Sequence, residues 1–287
     1  MDLTKNFIKA KKPCADGFRW FLKHHQAGAD YQPLLDSLVA AGRVGDACWL
    51  LSQFGPSDQV LAVDAIDADA IVFAGTLEVR GNIDVATVLR TGGAIRAGGG
   101  IRAGESIEAG GDIRAGGGVH CGGDLAASGG VDAHWNIQVR GSLRAQGRLR
   151  AGWDIECGGP FAVGGDCSAG QDIVLGGPAD CDKGVRALGA ITGHDRIRAG
   201  HGIEAGAAIL CHGHLEANQG IKAGDAIVAQ GSIKAGESLL AGADIRAGEG
   251  YGVYAGLMVQ QDSWDASAQV RARVRPERLL SGCWTCT

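Results

Sequence analysis

An apolar residue returns every six positions from Ile71 to Ile245, without an insertion or a deletion. It is large at most of these positions, and Phe161, Cys167 and Ala179 are the weaker matches. A small or apolar residue follows two positions after most of these anchors, as Ala97 follows Ile95 and Ala103 follows Ile101. Residues i and i+2 lie on one face of a β-strand. Each hexad therefore predicts a short strand with two inward side chains, followed by a glycine-rich corner that needs glycine's backbone freedom.

Other features of the sequence recur at 18 residues, which predicts a coil of three hexads with a triangular section. The motif GGP begins at Gly158 and again at Gly176, Trp153 follows Trp135, and His212 follows His194 at this spacing. Stacked coils place equivalent residues above one another. At a strand spacing of ~4.8 Å, about ten coils would make a parallel β-helix roughly 50 Å long.

The composition excludes several other classes of protein. Glycine accounts for 49 of 287 residues but proline for only 6, whereas collagen needs abundant proline and glycine at every third position. Disorder is disfavoured because 45% of the residues are hydrophobic and only 21% are charged. The net charge of −5 gives no general attraction to nucleic acid or to an anionic membrane.

The pattern at the two ends differs from the repeat and predicts three domains. Residues 14–55 contain three segments with helical spacing, which we expect to form a helical cap over residues 1–58, because an exposed solenoid end needs one. The hexad-repeat β-helix then covers 59–257, and 258–287 form a C-terminal capping strand and tail. Without an apolar run suited to a signal peptide or a membrane span, we expect a cytoplasmic protein.

The order of the repeat, large residue first and small residue two positions later, resembles that of bactofilin-like, polymer-forming β-helices. The runs IEAGGDIRAGG and similar hexads carry the resemblance over residues 71–250. It implies a right-handed coil, whereas left-handed hexapeptide acyltransferases place the small residue before the large one. The N-terminal segment KPCADGFRWFL…ACWLLSQFG is similar to helical modules of bacterial immunity-type proteins.

The residue after each anchor points outward, and grouping these residues by coil gives three faces. Two faces are mixed or mildly basic, as expected of a solvated surface. The third presents apolar residues late in the repeat, and two tryptophans lie at the adjoining corner. The predicted partner-binding residues are Trp135, Trp153, Val174, Leu210 and Val228. The alternative is that the chain's own helices or tail cover this surface.

Metal and cofactor chemistry has little support in the sequence. His194 and His212 are weak metal candidates, because two imidazoles have neither an acidic or thiol partner nor supporting residues. Cys283 and Cys286 form a single CxxC, which is weak evidence for a metal or redox site. Cys121, Cys157 and Cys211 occupy inward positions and act as small apolar fillers, so we predict no cofactor, metal or catalytic residue.

Three functions are compatible with these features. The first is a non-catalytic bacterial protein, a monomer or dimer, that binds a protein partner through one outward face. That partner could be a toxin, in which case the chain would be an immunity protein. The second is a self-assembling, bactofilin-like structural protein, and the third is a hexapeptide-repeat acyltransferase. Neither nucleic acid nor a membrane is an expected partner.

Overall fold

The computed structural model describes residues 2–25 and 28–286 and shows a parallel β-solenoid with a small helical region at its N-terminal end. Three long sheets of 13, 11 and 12 strands form its sides, and we name them sheets 1, 2 and 3 in the order in which a coil visits them. No described helix has the length and apolarity required to cross a membrane.

Most strands have three or four residues, as the hexad predicts. Sheet 1 contains Val60–Val63, Thr76–Val79, Ile95–Ala97, Ile113–Ala115, Val131–Ala133, Leu149–Ala151, Cys167–Ala169, Val185–Ala187, Ile203–Ala205, Ile221–Ala223, Leu239–Ala241, Gln269–Ala272 and Cys283–Cys286. Sheet 2 contains Ile66–Ala68, Ile83–Val85, Ile101–Ala103, Val119–Cys121, Ile137–Val139, Ile155–Cys157, Ile173–Leu175, Ile191–Gly193, Ile209–Cys211, Ile227–Ala229 and Ile245–Arg246. Sheet 3 contains Ile71–Phe73, Val88–Thr91, Ser106–Ala109, Asp124–Ala127, Leu143–Ala145, Phe161–Val163, Ala179–Cys181, Ile197–Ala199, Leu215–Ala217, Ile233–Ala235, Val253–Tyr254 and Leu279–Ser281.

The strand register confirms the 18-residue coil. Ile137 pairs with Ile155 and Val139 with Cys157, so large residues stack on large ones and small residues on small ones. The inward side chains form one continuous core from Phe73 to Ala272, while the residue between each inward pair faces out. The right-handed sense of the coil stays a prediction of the repeat order.

The sheets contain more strands than the ten predicted coils account for, because both ends extend beyond the regular hexads. At the N-terminal end, Ile66 pairs with Ile83, one residue short of the usual spacing. At the C-terminal end, strand Gln269–Ala272 joins sheet 1 after a long connection that contains a short helix, Trp264–Ser267. Periodicity alone could not find these strands, because they do not keep the six-residue spacing.

Polar side chains reinforce the corners between coils. The residue before an anchor is often Asn or Asp, and its side chain accepts a hydrogen bond from the backbone N–H one coil later. Asn82 accepts from Gly100 at 2.9 Å, Asp154 from Asp172 at 3.0 Å, and Asp172 from Ala190 at 2.7 Å. These bonds satisfy amide groups at corners, where the chain leaves the strand direction.

Four helices form the cap, namely Lys5–Ala10, Ala15–His24, Tyr31–Ala40 and Val44–Phe54, together with a two-stranded antiparallel sheet of Asp2–Leu3 and Ala29–Asp30. Their apolar sides pack against one another and against Val72 and Ala74 at the start of sheet 3. The Gln32 side chain makes the hydrogen bonds that a neighbouring strand would make at this edge of sheet 3. Its amide donates to the Val72 carbonyl at 3.2 Å and accepts from the Ala74 N–H at 2.8 Å.

Candidate partner-binding edge

Two tryptophans lie side by side at the corner between sheets 1 and 2. Their ring centroids are 6.3 Å apart, and the ring planes differ by 22°. The 18-residue coil produces this stack, because the Trp153 N–H donates to the Trp135 carbonyl of the preceding coil. The side chains are 55% and 52% exposed, so neither the helical cap nor the C-terminal tail buries them.

The outward residues of sheet 2 continue the apolar surface beyond the tryptophans. Val174, Thr192, Leu210 and Val228 follow one another in register, each one coil further along. Val174 and Leu210 are 36% and 40% exposed, and Val228 is half-buried. The structure therefore places all five predicted residues on the outside of the solenoid, along the same sheet and its adjoining corner.

Leu188 belongs to the same edge and was not predicted. It lies at the corner between sheets 1 and 2, after strand Val185–Ala187, and is 65% exposed. The sequence marks Leu188 as unusual, because the third residue after an anchor is usually glycine or polar. We name the surface formed by Trp135, Trp153, Val174, Leu188, Leu210 and Val228 the apolar edge.

A hydrogen-bonded polar chain leads into the apolar edge from the N-terminal side. His120 Nδ1 lies 3.1 Å from Gln138 Oε1, and Gln138 Nε2 donates to Glu156 Oε2 at 2.8 Å. The three residues stack on the outer face of sheet 2, one coil apart, and Val174 is the next residue in register. The outer face of sheet 2 thus changes from polar to apolar at Val174.

Ion pairs occupy much of the other two faces. On sheet 1, Glu204 lies 3.5 Å from Arg186 and 3.3 Å from Lys222. On sheet 3, Lys234 pairs with Glu216 at 2.9 Å, and Arg90 pairs with Glu108 at the same distance. Paired charges of opposite sign on an exposed β-surface are typical of a solvated face.

The two histidines suggested as metal ligands lie at the corner between sheets 2 and 3. The rings of His194 and His212 are 5.0 Å apart and nearly perpendicular. His214, two residues further on, instead shares hydrogen bonds with Ser232. Among residues 2–25 and 28–286, no group of three or more His, Cys, Asp or Glu side chains could hold a metal ion.

The CxxC motif lies within the last strand of sheet 1. Because successive side chains of a strand alternate in direction, residues i and i+3 point to opposite sides and are about 10 Å apart along the chain. Cys283 lies 3.4 Å from Asp265, whereas Cys286 faces the Arg273 carbonyl at 3.7 Å. This arrangement does not bring the two thiols to disulfide distance.

The inward cysteines behave as core residues. Cys121, Cys157 and Cys211 are buried, as are Cys167 and Cys181. Burial raises the pKa of all five thiols, most strongly that of Cys167. A raised pKa keeps them as unreactive thiols.

The helical cap contains a separate cavity of about 200 Å³. Its lining is mostly apolar and includes Trp20, Phe21 and Trp49, with Cys14 and Asp46 among the few polar residues. Asp46 is held by Arg43, which also pairs with Asp16. This ion-pair network joins the second helix to the fourth and has a structural role.

Comparison with known protein families finds a match in the N-terminal region of the chain. No curated protein and no solved structure matches the chain. The bactofilin-like character of the repeat therefore stays a prediction from the hexads. Residues 1–54, which include all four helices of the cap, match the family model of the YdhT N-terminal domain.

Proposed function

We propose that the chain is a non-catalytic scaffold that binds a protein partner through the apolar edge. The observation that carries the proposal is the pair of stacked indoles, both more than half exposed on a surface where neighbouring positions are glycine or polar. Large aromatic side chains supply roughly 2 kcal/mol or more each when a partner buries them at the centre of an interface. Their exposure has no role in the stability of the solenoid, since its core is formed by the inward residues.

A binding experiment with matched variants tests this proposal. The immobilised wild-type protein captures partners from a bacterial lysate, and mass spectrometry identifies the protein whose capture needs Trp135 and Trp153. The binding constant is then measured with that partner in pure form. We expect Trp135→Ala with Trp153→Ala to weaken binding by at least about tenfold at an unchanged melting temperature.

Arg144→Ala with Arg198→Ala is the control, because it removes two exposed side chains from sheet 3. Unchanged affinity in the tryptophan variant would contradict the proposal, and so would a loss of stability that explains its loss of binding. A toxin-neutralising role is a narrower form of the same proposal. It requires the identified partner to be toxic when expressed alone and harmless when co-expressed with this chain.

End-to-end self-assembly is a second candidate function, favoured by the open strand edges at both ends of the solenoid. Strand Val60–Val63 pairs on one side only, and its Val60 and Leu61 are 56% and 38% exposed. At the other end of sheet 1, strand Cys283–Cys286 also pairs on one side, and Trp284 is 39% exposed. Unpaired edges with apolar side chains can pair with another chain.

Light scattering after size exclusion distinguishes the two candidates. Assembly through the ends predicts a mass that grows with protein concentration and that Leu61→Lys or Trp284→Lys reduces to the monomer. A constant monomer or dimer mass over the same range would contradict this second function. It would leave the binding proposal for the apolar edge in place.

A further inference from the structure

Three acidic residues lie near Trp153 in the chain or in the stack of coils. Asp154 is its neighbour in the chain, Glu156 faces outward on sheet 2, and Asp172 lies one coil above Asp154. Glu156 and Asp172 are exposed, and Asp154 is half-buried. We name Asp154, Glu156 and Asp172 the acidic group.

Within the described part of the chain, the acidic group has no counter-ion. Asp154 and Asp172 accept hydrogen bonds from backbone N–H groups, and Glu156 accepts one from the neutral Gln138 amide. Elsewhere on the solenoid, some acidic residues, such as Asp132 and Glu204, pair with Arg or Lys, whereas corner residues such as Asp166 accept a backbone N–H in the same way as Asp154. The nearest cations in sequence are Arg148, which pairs with Asp132, and Arg150, which faces outward on sheet 1.

The indoles also lack a cation. The described cation–π contacts are confined to the helical cap, where Lys11 lies over Phe54 and Arg43 over Trp20. An exposed tryptophan ring beside carboxylates is a favourable site for a guanidinium or ammonium group, because ring and carboxylate both attract it. The apolar edge therefore has a negatively charged, aromatic end at the tryptophans and the acidic group, and it is apolar along the rest of its length.

Resting on the proposed function, we infer that the partner presents a peptide segment with Arg or Lys at one end and apolar side chains along the rest. The cationic end lies over Trp135, Trp153 and the acidic group. The apolar part follows Val174, Leu210 and Val228 along the solenoid axis. From Gln138 to Val228 the outward column of sheet 2 spans about 24 Å at ~4.8 Å per coil, which is the length of about seven extended residues.

Charge complementarity favours such a peptide segment over nucleic acid or an anionic membrane. An acidic surface repels the phosphates of nucleic acid and the headgroups of an anionic membrane. Across a protein interface, complementary charge raises the association rate and disfavours wrong partners. The affinity itself comes mainly from the aromatic and aliphatic side chains.

Defined peptides test the inference with the full chain. The probe is a fluorescent peptide of about seven residues, Arg-Arg-Leu-Val-Thr-Val-Leu, and its counterpart begins with Glu-Glu. Fluorescence anisotropy measures the affinity of each peptide at low and high salt. We expect the Arg peptide to bind at least about tenfold more tightly than the Glu peptide, with a smaller ratio at high salt.

A neutral variant tests the role of the acidic group without disturbing the fold. The variant combines Asp154→Asn, Glu156→Gln and Asp172→Asn. Each new amide keeps an oxygen that can accept a hydrogen bond. The chain already uses Asn82 and Asn136 for the same corner bond and Gln138 at the same outward position as Glu156. We expect this variant to bind the Arg peptide about as weakly as the Glu peptide. The control variant combines Asp124→Asn, Asp166→Asn and Glu216→Gln, which removes three charges at other corners and faces. We expect it to keep the preference for the Arg peptide over the Glu peptide.

The outcomes separate this inference from the proposed function. The inference of a basic segment is overturned if the two peptides bind with equal affinity or if neither binds. It is also overturned if the neutral variant keeps the preference for the Arg peptide. Quenching of the indoles by a neutral oligosaccharide, but not by the Arg peptide, overturns it as well. None of these results affects capture of a protein partner that depends on Trp135 and Trp153, whereas loss of that dependence overturns the proposed function.

Discussion

Gly152 lies at a corner where the chain passes very close to the coil below. A Cβ atom at this position would lie 1.9 Å from the carbonyl oxygen of His134. The backbone would have to move, and the N–H of Gly152 donates to the Ala133 carbonyl within the same corner. We expect Gly152→Ala to lower the free energy of unfolding by about 1–3 kcal/mol, as other overpacked positions do. Urea unfolding followed by circular dichroism measures the change.

Gly45 is the matched control for this substitution. It lies in the helix Val44–Phe54, where an added Cβ would meet no atom within 4 Å and the φ angle is not positive. Replacing glycine by alanine inside a helix stabilises it by about 0.5–1 kcal/mol. We therefore expect the change in the free energy of unfolding to have opposite signs for Gly45→Ala and Gly152→Ala. A stabilising effect of Gly152→Ala would contradict the close approach at the corner.

Individual residues of the apolar edge were predictable to different degrees. The hexad fixes which strand residues face outward, so Val174 could be placed on the surface from spacing alone. Trp135 and Leu188 lie at corners, where a side chain can turn inward or outward without breaking the repeat, so their exposure follows from the structure and not from spacing. The pairing of Gln138 with Glu156 also depends on side-chain rotamers, which periodicity does not determine.

Among the elements, the helical cap is attached to sheet 3 by polar as well as apolar contacts. The Gln32 amide makes two hydrogen bonds to the open edge of strand Ile71–Phe73. Arg90 of the next strand in sheet 3 donates to Ser52 Oγ at 2.8 Å. The cap thus covers a strand edge that would otherwise leave backbone groups unpaired.

Gln32→Leu removes both hydrogen bonds and leaves the Val72 carbonyl and the Ala74 N–H, which belong to buried residues, without this partner. We expect a loss of about 1–3 kcal/mol in stability and faster proteolysis within residues 1–54. Gln32→Glu keeps the acceptor for the Ala74 N–H but puts a carboxylate where the amide N–H donates to the Val72 carbonyl and to Asp36 Oδ1, so it is expected to lose at least as much. Limited proteolysis with mass spectrometry, together with thermal melting, measures both effects. Equal stability of the wild type and the Leu variant would show that the amide bonds do not hold the cap.

The helix and the strand bounds that the sequence did not define have a common physical reason. The helix Lys5–Ala10 has only six residues, too few to establish a helical period. The terminal strands Val60–Val63 and Cys283–Cys286 lie outside the hexads and are defined by pairing with a neighbouring coil. Long-range pairing completes these elements, whereas the regular coils are already encoded by local spacing.

The whole molecule is a one-dimensional stack in which each coil contacts only its neighbours, so its stability depends on how the two ends are held. The N-terminal end has the helical cap with its Gln32 and Arg90 bonds. At the C-terminal end, strands Ile245–Arg246 and Val253–Tyr254 have only two residues each. Leu280 is 63% exposed in the last strand of sheet 3. The C-terminal coils are therefore expected to open first.

The buried cysteines make this order of opening measurable. Cys121 and Cys211 both lie in sheet 2, and burial raises the pKa of each, so neither thiol reacts while its coil is closed. Short pulses of iodoacetamide at increasing urea, read by mass spectrometry, report the opening of each coil. We expect Cys211 to be labelled at lower urea than Cys121, because only two strands of sheet 2 separate it from the weaker end. The exposed Cys14 serves as the internal standard, since it is labelled without unfolding. Labelling of Cys121 before Cys211 would mean that the cap is the weaker end, and simultaneous labelling would mean that the solenoid opens as one cooperative unit.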